Sequence, residues 1–168
     1  CRTSNYFSVD PGEMRLFLLA CLLCIVSLAS ACSYYNDETH LFYDLSPLVG
    51  TAFNYTDSLN NQWEVSLCSD ATQCGEGVAV CQSSVGIMYN CGTTAAQAFS
   101  PFLDNIGKNG VSVAYFDGDQ CNNGVVRSTR VNIGCDPSVA TIEVDGAEEP
   151  SLCVYIIHAR SMHGCGIE

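Results

Sequence analysis

The chain has 168 residues and a formal net charge of −12, from 18 acidic and six basic side chains. Nucleic-acid binding needs a basic surface, so this charge excludes that class of function and disfavours binding to an anionic membrane. A chain of this length can bury the core of one domain.

The first 31 residues carry the features of a targeting sequence. From Met14 the chain reads MRLFLLACLLCIVSLASA, with one positive charge, an apolar run too short to span a bilayer, and small residues at its end. This pattern is typical of a secretory signal peptide with an A-x-A cleavage site. We predict a non-native or untranslated leader over 1–13, a signal peptide over 14–31 and one mature domain over 32–168. We expect no membrane contact by this chain, although a longer parent protein could carry a transmembrane segment.

Cysteines are dense in the predicted mature domain. Of the 12 in the chain, all but Cys1, Cys21 and Cys24 lie there. Such a density predicts a disulfide framework formed in the lumen of the secretory pathway (endoplasmic reticulum, Golgi, endosome or lysosome) or outside the cell. The predicted mature domain therefore holds an odd number of cysteines, so one thiol is free, bonded to another molecule or paired with a missing partner. A sequon at Asn54 predicts N-glycosylation, which agrees with secretion.

Short strand-like stretches separated by turn residues predict an all-β fold. They lie at 41–45, 63–68, 78–81, 86–90, 111–116, 125–135, 140–144 and 153–159. Turn pairs such as Asp117-Gly118 end several of them. This pattern favours an antiparallel β-sandwich or barrel. Residues 94–106 are the only plausible helix, and Pro101 lies inside it.

The segment RSTRVNIGC, 127–135, holds two of the few cations. Strand alternation puts Arg127 on the apolar face with Thr129 and Val131, and Arg130 on the other face. A guanidinium among apolar side chains needs a partner, because an unpaired buried charge is costly. We expect that partner to be an acidic side chain of this protein or a polar ligand.

Seven segments follow one another in a recognisable order. After Cys32 come YDLSPL, WEVSLC, CGEGVAVCQ, VAYFDGDQC, RSTRVNIGC, EEPSLCVY and a final Cys165. This order resembles the mannose-6-phosphate receptor homology (MRH) domain, also called the P-type lectin domain, over 32–165. The resemblance implies a flattened, disulfide-stapled β-barrel of about nine strands. It also implies four pairs, which are Cys32–Cys68, Cys74–Cys81, Cys121–Cys153 and Cys135–Cys165. Cys91 is left over, and we expect it to be a buried, inert thiol.

The sugar site of that family uses a glutamine, an arginine, a glutamate and a tyrosine. The matching positions here are Gln82, Arg127, Glu149 and Tyr155. Glu148 is the alternative to Glu149, but the spacing to Tyr155 favours Glu149. These groups could hold the axial 2-hydroxyl that distinguishes mannose from glucose between fixed donors and acceptors. We also expect Glu149 to neutralise Arg127.

The resemblance implies a lectin and not an enzyme. Its ligand would be mannose or mannose 6-phosphate on N-glycans of glycoproteins, and its role the sorting of lysosomal enzymes. Receptors of this kind hold the phosphate with a loop that corresponds to 117–120, so Asp119 and Gln120 are candidate phosphate-loop residues. The loop carries two acids, which repel phosphate unless a divalent cation intervenes. A cation there is possible, and no other cofactor is expected.

Two alternatives stay open. One is a quality-control lectin of the endoplasmic reticulum for trimmed high-mannose glycans, and the other is an interaction module of the same fold that binds no sugar. Trp63 lies where a degradation lectin has one tryptophan of an adjacent pair, but Gln62 precedes it here. A core aromatic on an alternating strand is the simpler interpretation. His158 and His163 near Cys165 are weak evidence for a metal, and we predict no metal site.

Overall fold

The structure is a computed structural model that describes residues 32–103, 109–122 and 124–168. The predicted leader and signal peptide lie outside these residues. The fold is all-β, as predicted, and no described residue lies in an α-helix. In the part of the chain described, therefore, no helix is long and apolar enough to cross a membrane. The strands are β1 (Ser33–Asn36), β2 (Leu41–Asp44), β3 (Ala52–Thr56), β4 (Gln62–Ser66), β5 (Val80–Ser84), β6 (Ile87–Asn90), β7 (Gln97–Leu103), β8 (Asn109–Tyr115), β9 (Ser128–Cys135), β10 (Glu143–Ser151) and β11 (Val154–Ser161).

The strands form three sheets. One has five strands in the order β10-β11-β9-β8-β7, one has four in the order β3-β4-β5-β6, and β1 pairs with β2. Neighbouring strands are antiparallel, as expected, except that β9 and β11 run parallel. In that pair Ser128 lies opposite Val154 and Thr129 opposite Tyr155. The first residues of both strands are therefore neighbours at the same end of the sheet.

One hydrophobic core joins the sheets. At the start of β9 the alternation seen in the sequence holds, because Thr129 and Val131 are buried while Arg130 is exposed; further along, Asn132 and Ile133 are both buried. Val131 and Ile133 pack in a cluster with core residues of the other two sheets, such as Val65 and Tyr43. Burying apolar surface in this way is the main favourable term in folding.

The expected helix over 94–106 is wrong, because its first part forms β7. This strand lies at the edge of the five-stranded sheet and pairs with β8 alone, with Pro101 opposite Val111. Proline has no amide hydrogen to donate, so it is tolerated in a sheet only where no second neighbour needs that bond. Residues 104–106, the end of the predicted helix, lie outside the described residues.

Four disulfides staple the fold, and they are the same pairs that the resemblance implies. One of them, Cys121–Cys153, joins the loop before β9 to the loop between β10 and β11. Among the described residues Cys91 is the free cysteine, and it is fully buried. Burial raises the pKa of its thiol to about 12, so the reactive thiolate is scarce at neutral pH.

Glu64 is a buried carboxylate that organises the loop between β4 and β5. It is 3% exposed and accepts hydrogen bonds from the amide and hydroxyl of Thr72, at 3.1 and 2.7 Å, and from the amide of Gln73 at 2.7 Å. Burial alone would raise the pKa of Glu64, but these hydrogen bonds outweigh it and hold the pKa below its usual value. The folded state therefore stabilises the ionised carboxylate.

We predict that Cys91 resists alkylation in the native domain and reacts once the domain unfolds. Treatment with N-ethylmaleimide near pH 7.5, followed by peptide mass spectrometry, would leave Cys91 unmodified in buffer and label it in guanidinium. The eight disulfide-bonded cysteines provide the control, because without reductant they should stay unlabelled in both conditions. Rapid labelling of Cys91 in buffer would contradict its burial.

We predict that Glu64→Gln lowers the free energy of unfolding by about 1–3 kcal/mol at neutral pH, because a neutral amide accepts these hydrogen bonds less well. The folded-state pKa is lowered, so the advantage of the wild type is complete above the unfolded pKa of about 4.5 and shrinks as the pH falls through the folded value. Urea unfolding of both proteins between pH 7 and pH 3 measures this. An equal difference at every pH would rule out the charged form as its source.

Candidate functional site

A cleft of about 410 Å³ lies where the starts of β9 and β11 meet the hairpin of β5 and β6. This volume suits a small ligand. All four residues of the predicted sugar site line it. The lining residues are Gln82, Ser84, Tyr89, Gln120, Asn122, Arg127, Glu149, Leu152 and Tyr155, with the Cys121–Cys153 disulfide.

Arg127 is the half-buried cation of the cleft and directly precedes β9. Its Nη1 donates a hydrogen bond to the hydroxyl of Tyr155, and its guanidinium carbon lies 4.3 Å from the ring centroid of Tyr89. Its Nε is buried and has no acceptor among the described residues. The protein groups around the guanidinium therefore do not saturate it, which leaves hydrogen-bonding capacity for a polar ligand.

The expected ion pair between Glu149 and Arg127 is not formed. The ion pairs among the described residues involve Arg160 and His158 only. Glu149 instead accepts a hydrogen bond from the amide of Cys153 at 2.6 Å. The face of the Tyr89 ring stabilises the guanidinium in place of a carboxylate, by a cation–π contact.

Tyr89 is the functional residue that sequence reasoning missed. It lies on β6 directly opposite Gln82, and Gln82 in turn lies opposite Trp63 on β4. Directly opposite residues of an antiparallel pair share one face of the sheet, so Gln82 and both aromatics face the same way. The signal was present in the sequence as a two-residue turn at Val85-Gly86, from which the pairing of Gln82 with Tyr89 could have been counted.

Tyr155 and Trp63 form the aromatic wall behind the cleft. Their rings meet edge to face with centroids 4.8 Å apart, and the indole nitrogen of Trp63 donates to Asp57 at 3.0 Å. Both side chains are buried, so Trp63 is the core aromatic that the sequence suggested. Burial is the main cause that raises the pKa of Tyr155 to about 12. The phenol therefore stays neutral and can donate to a ligand while it accepts from Arg127.

The two adjacent glutamates separate at an irregularity in the pairing of β10 with β11, between Glu148 and Ser151. Glu149 lines the cleft. Glu148 does not, and its carboxylate lies 3.2 Å from Nε2 of His158. Both glutamates border a smaller cavity of about 80 Å³ that shares Gln82 and Tyr155 with the cleft.

The candidate phosphate loop has a structural task in this fold. Gln120 lines the cleft, but the carboxylate of Asp119 accepts from the amide of Asn90 at 2.8 Å, and the amide of Asp119 donates to the carbonyl of Asn90 at 2.8 Å. The carbonyl of Asp119 also accepts from the amide of Arg127 at 2.9 Å. Asp119 thus fixes Arg127 relative to β6.

The remaining sequence candidates lie outside the cleft. Within the described ranges no three His, Cys, Asp or Glu side chains cluster as they would around a metal ion, and Cys165 is in a disulfide. Asn54 is exposed on β3, an edge strand.

The chain is similar to one known protein family and to solved structures of the same fold. Residues 58–168 match the family described as Glucosidase II beta subunit-like protein. Domain 11 of the echidna mannose 6-phosphate/IGF2R receptor is 18% identical with a TM-score of 0.61, covering 82% of this chain and 96% of that one. The MRH domain of Yos9 complexed with alpha3,alpha6-Man5 is 14% identical with a TM-score of 0.53, covering 95% and 94%.

A third structure is the MRH domain of Glucosidase II beta bound to mannose. It is 20% identical with a TM-score of 0.47, covering 71% of this chain and 98% of that one. Among curated proteins, none matches this chain significantly. At these identities the first two structures show a shared fold only. The family match spans about two thirds of the sequence. The chain therefore belongs to the glucosidase II beta subunit-like family and has the fold of an MRH domain.

Proposed function

We propose that this domain is a lectin that binds unphosphorylated mannose on N-glycans of glycoproteins in the lumen of the secretory pathway. The observation that carries the proposal is the meeting of Gln82, Arg127, Glu149 and Tyr155 around one cleft. The MRH domain of Yos9, whose fold this chain shares, was solved with alpha3,alpha6-Man5, which supports a mannose-rich ligand. The proposed role is one of binding and not of catalysis. We also propose that residues 14–31 direct the chain to that compartment.

The chemistry of the cleft matches the hydroxyls of a hexose. Arg127 only donates hydrogen bonds, the ionised Glu149 only accepts them, and Gln82 and Tyr155 can do both. A hexose that places each hydroxyl against the complementary group satisfies all of them. An epimer with one hydroxyl displaced leaves a buried polar group unpaired, which costs about 1–3 kcal/mol. Because a monosaccharide buries little area, we expect a dissociation constant in roughly the millimolar range.

The loop over 117–121 argues against a 6-phosphate. Its amides at Gly118, Asp119 and Cys121 donate to carbonyl groups of Arg127, Asn90 and Val125. They are therefore not available to cradle an anion. The chain has a net charge of −12, and Arg127 is the only cationic side chain among the residues that line the cleft. Both features favour neutral mannose over mannose 6-phosphate.

Binding can be followed by the fluorescence of Trp63, the only tryptophan in the chain, because its ring touches Tyr155 of the cleft. We predict that titration with mannose changes this emission, while glucose and mannose 6-phosphate bind at least about tenfold more weakly. Tighter binding of mannose 6-phosphate than of mannose would instead support a receptor for lysosomal enzymes. No response to any mannose ligand, confirmed by calorimetry, would refute the lectin function.

We predict that Arg127→Lys weakens mannose binding at least about tenfold, because lysine cannot reproduce the planar set of donors. Arg130→Lys is the matched control. Arg130 lies three residues further along the chain, is exposed on β9 and does not line the cleft, so its replacement should leave affinity unchanged. Circular dichroism checks that both variants fold. Equal affinities of the two variants would show that Arg127 does not contact the sugar.

We predict that Tyr89→Leu weakens mannose binding by roughly three- to tenfold, because the guanidinium of Arg127 loses the ring face worth about 0.5–1 kcal/mol or more. Tyr89→Phe keeps the ring and should bind like the wild type. The same fluorescence titration compares the two. A loss of affinity in Tyr89→Phe as well would assign the effect to the hydroxyl and not to the ring.

A further inference from the structure

A short segment of the loop between β8 and β9 makes hydrogen bonds to both sides of the cation–π contact in the cleft. The segment consists of Gly118 and Asp119. On one side it meets Asn90, the last residue of β6, which directly follows Tyr89. On the other side it meets the backbone of Arg127. The segment therefore connects the strand that carries the aromatic ring with the residue that carries the cation.

Asp119 uses its amide, its carbonyl and its carboxylate in this connection. Its carboxylate accepts a hydrogen bond from the amide of Asn90, and its amide donates to the carbonyl of Asn90, both at 2.8 Å. Its carbonyl accepts from the amide of Arg127 at 2.9 Å, and the amide of Gly118 donates to the carbonyl of Arg127 at 3.1 Å. Both backbone polar groups of Arg127 are thus bound by this segment, while its side chain lines the cleft.

Gly118 allows the two partners of the segment to lie close together. A Cβ atom at this position would lie 2.6 Å from the carbonyl oxygen of Asn90 and 2.8 Å from the carbonyl oxygen of Arg127. Favourable contacts between non-bonded atoms begin only at roughly 3.5 Å. Both oxygens belong to the backbone and cannot rotate away from an added methyl group. Any side chain at 118 would therefore push Asn90 and Arg127 apart.

The segment joins two sheets that meet at the cleft. In the part of the chain that the structure describes, β6 is an edge strand that pairs with β5, and Arg127 leads into β9 of the other sheet. The guanidinium carbon of Arg127 lies 4.3 Å from the ring centroid of Tyr89, so this contact depends on the distance between the sheets. A buried hydrogen bond from the hydroxyl of Thr129 to the carbonyl of Cys91, at 2.8 Å, joins the same strands nearby. Loss of the Asp119 carboxylate should therefore loosen the contact without unfolding the domain.

We propose that Gly118 and Asp119 are positioning residues of the mannose site, which set its affinity by holding Arg127 over the ring of Tyr89. This inference rests on the proposed mannose binding. Neither residue is among those that line the cleft, so neither acts by touching the sugar. Groups that bind a ligand must be held in place by their neighbours, because a small displacement weakens every contact that they make.

Two replacements of Asp119 separate its hydrogen bond from its charge. Asp119→Ala removes the acceptor for the amide of Asn90, and we expect mannose binding to weaken about threefold or more in the Trp63 fluorescence titration. Asp119→Asn loses the charge but keeps an oxygen that can accept this bond, so its affinity should stay within about twofold of the wild type. Asp117→Asn is the matched charge control. Asp117 is exposed in the same loop and does not line the cleft, so this variant should bind like the wild type.

A double-mutant cycle tests whether Asp119 acts through the cation–π contact. In the Tyr89→Leu background the ring is already absent, so Asp119→Ala should cost much less affinity there than in the wild type. A role of Asp119 that does not involve Tyr89 would instead give the same loss of affinity in both backgrounds.

Nuclear magnetic resonance tests the positioning without a sugar. The face of the Tyr89 ring shields the protons of the Arg127 side chain, so their resonances should lie upfield in the wild type and in Asp119→Asn. They should move downfield in Asp119→Ala. If no mannose ligand bound the wild type, the proposed function would fail, but this measurement would still decide whether Asp119 positions Arg127.

Gly118→Ala tests the close approach of the two chain segments. We expect it to weaken mannose binding more than Asp119→Ala does, because the added methyl group displaces the backbone of Arg127. Gly146→Ala is the matched control, since no atom lies within 4 Å of a Cβ at that position. Circular dichroism checks that both variants fold. If Gly118→Ala does not fold, the two Asp119 variants decide the question.

Three results would overturn the inference. Asp119→Ala could bind mannose like the wild type, with unchanged resonances of Arg127. Asp119→Asn could lose as much affinity as Asp119→Ala, which would assign the effect to charge and not to the hydrogen bond. The losses from Asp119→Ala and Tyr89→Leu could also be fully additive, which would show that Asp119 does not act through the ring.

Discussion

β9 and β11 run parallel, so the residues at the starts of these two strands lie at the same end of the sheet. Arg127 precedes one strand and Tyr155 lies near the start of the other, and the hydrogen bond between them follows from this register. The Cys121–Cys153 disulfide joins the loops that lead into both strands. Two aromatic rings pack against Arg127 and Tyr155: Tyr89 contacts Arg127, and Trp63 contacts Tyr155. A shift of one residue between β9 and β11 would turn Arg127 away from the cleft.

The cleft holds a cation, Arg127, that forms no ion pair among the described residues, although Glu149 lines the same cleft. Arg160, by contrast, forms ion pairs with the carboxylates of Asp136, Glu143 and Asp145. A carboxylate paired with Arg127 would occupy donors that the proposed sugar ligand needs. An aromatic face and a neutral phenol stabilise the charge while they leave Nε without an acceptor. Aromatic support thus keeps the guanidinium available at a tolerable desolvation cost.

Much of the fold could be predicted because the relevant signals are local. Alternation on β9 and the turn residues gave the strands, and cysteine order gave the resemblance from which the pairs and the four site residues followed. Three features could not be predicted in this way. The strand β7 was mistaken for a helix, since only its place at a sheet edge explains Pro101. The pairing of Tyr89 with Gln82 could have been counted from the turn, but the contact of Tyr89 with Arg127 joins segments distant in sequence. The separation of Glu148 from Glu149 depends on an irregular strand pairing.

The parallel pairing also sets when the site can form during synthesis. β5 and β6 can pair soon after they leave the ribosome, because they are one hairpin. Arg127 must then wait for β11, the last strand, before its guanidinium finds the hydroxyl of Tyr155. Contacts between distant segments form late, since the entropy of closing the loop must be overcome first. The proposed sugar site is therefore complete only once β11 has paired with β9, and a partly folded domain lacks it.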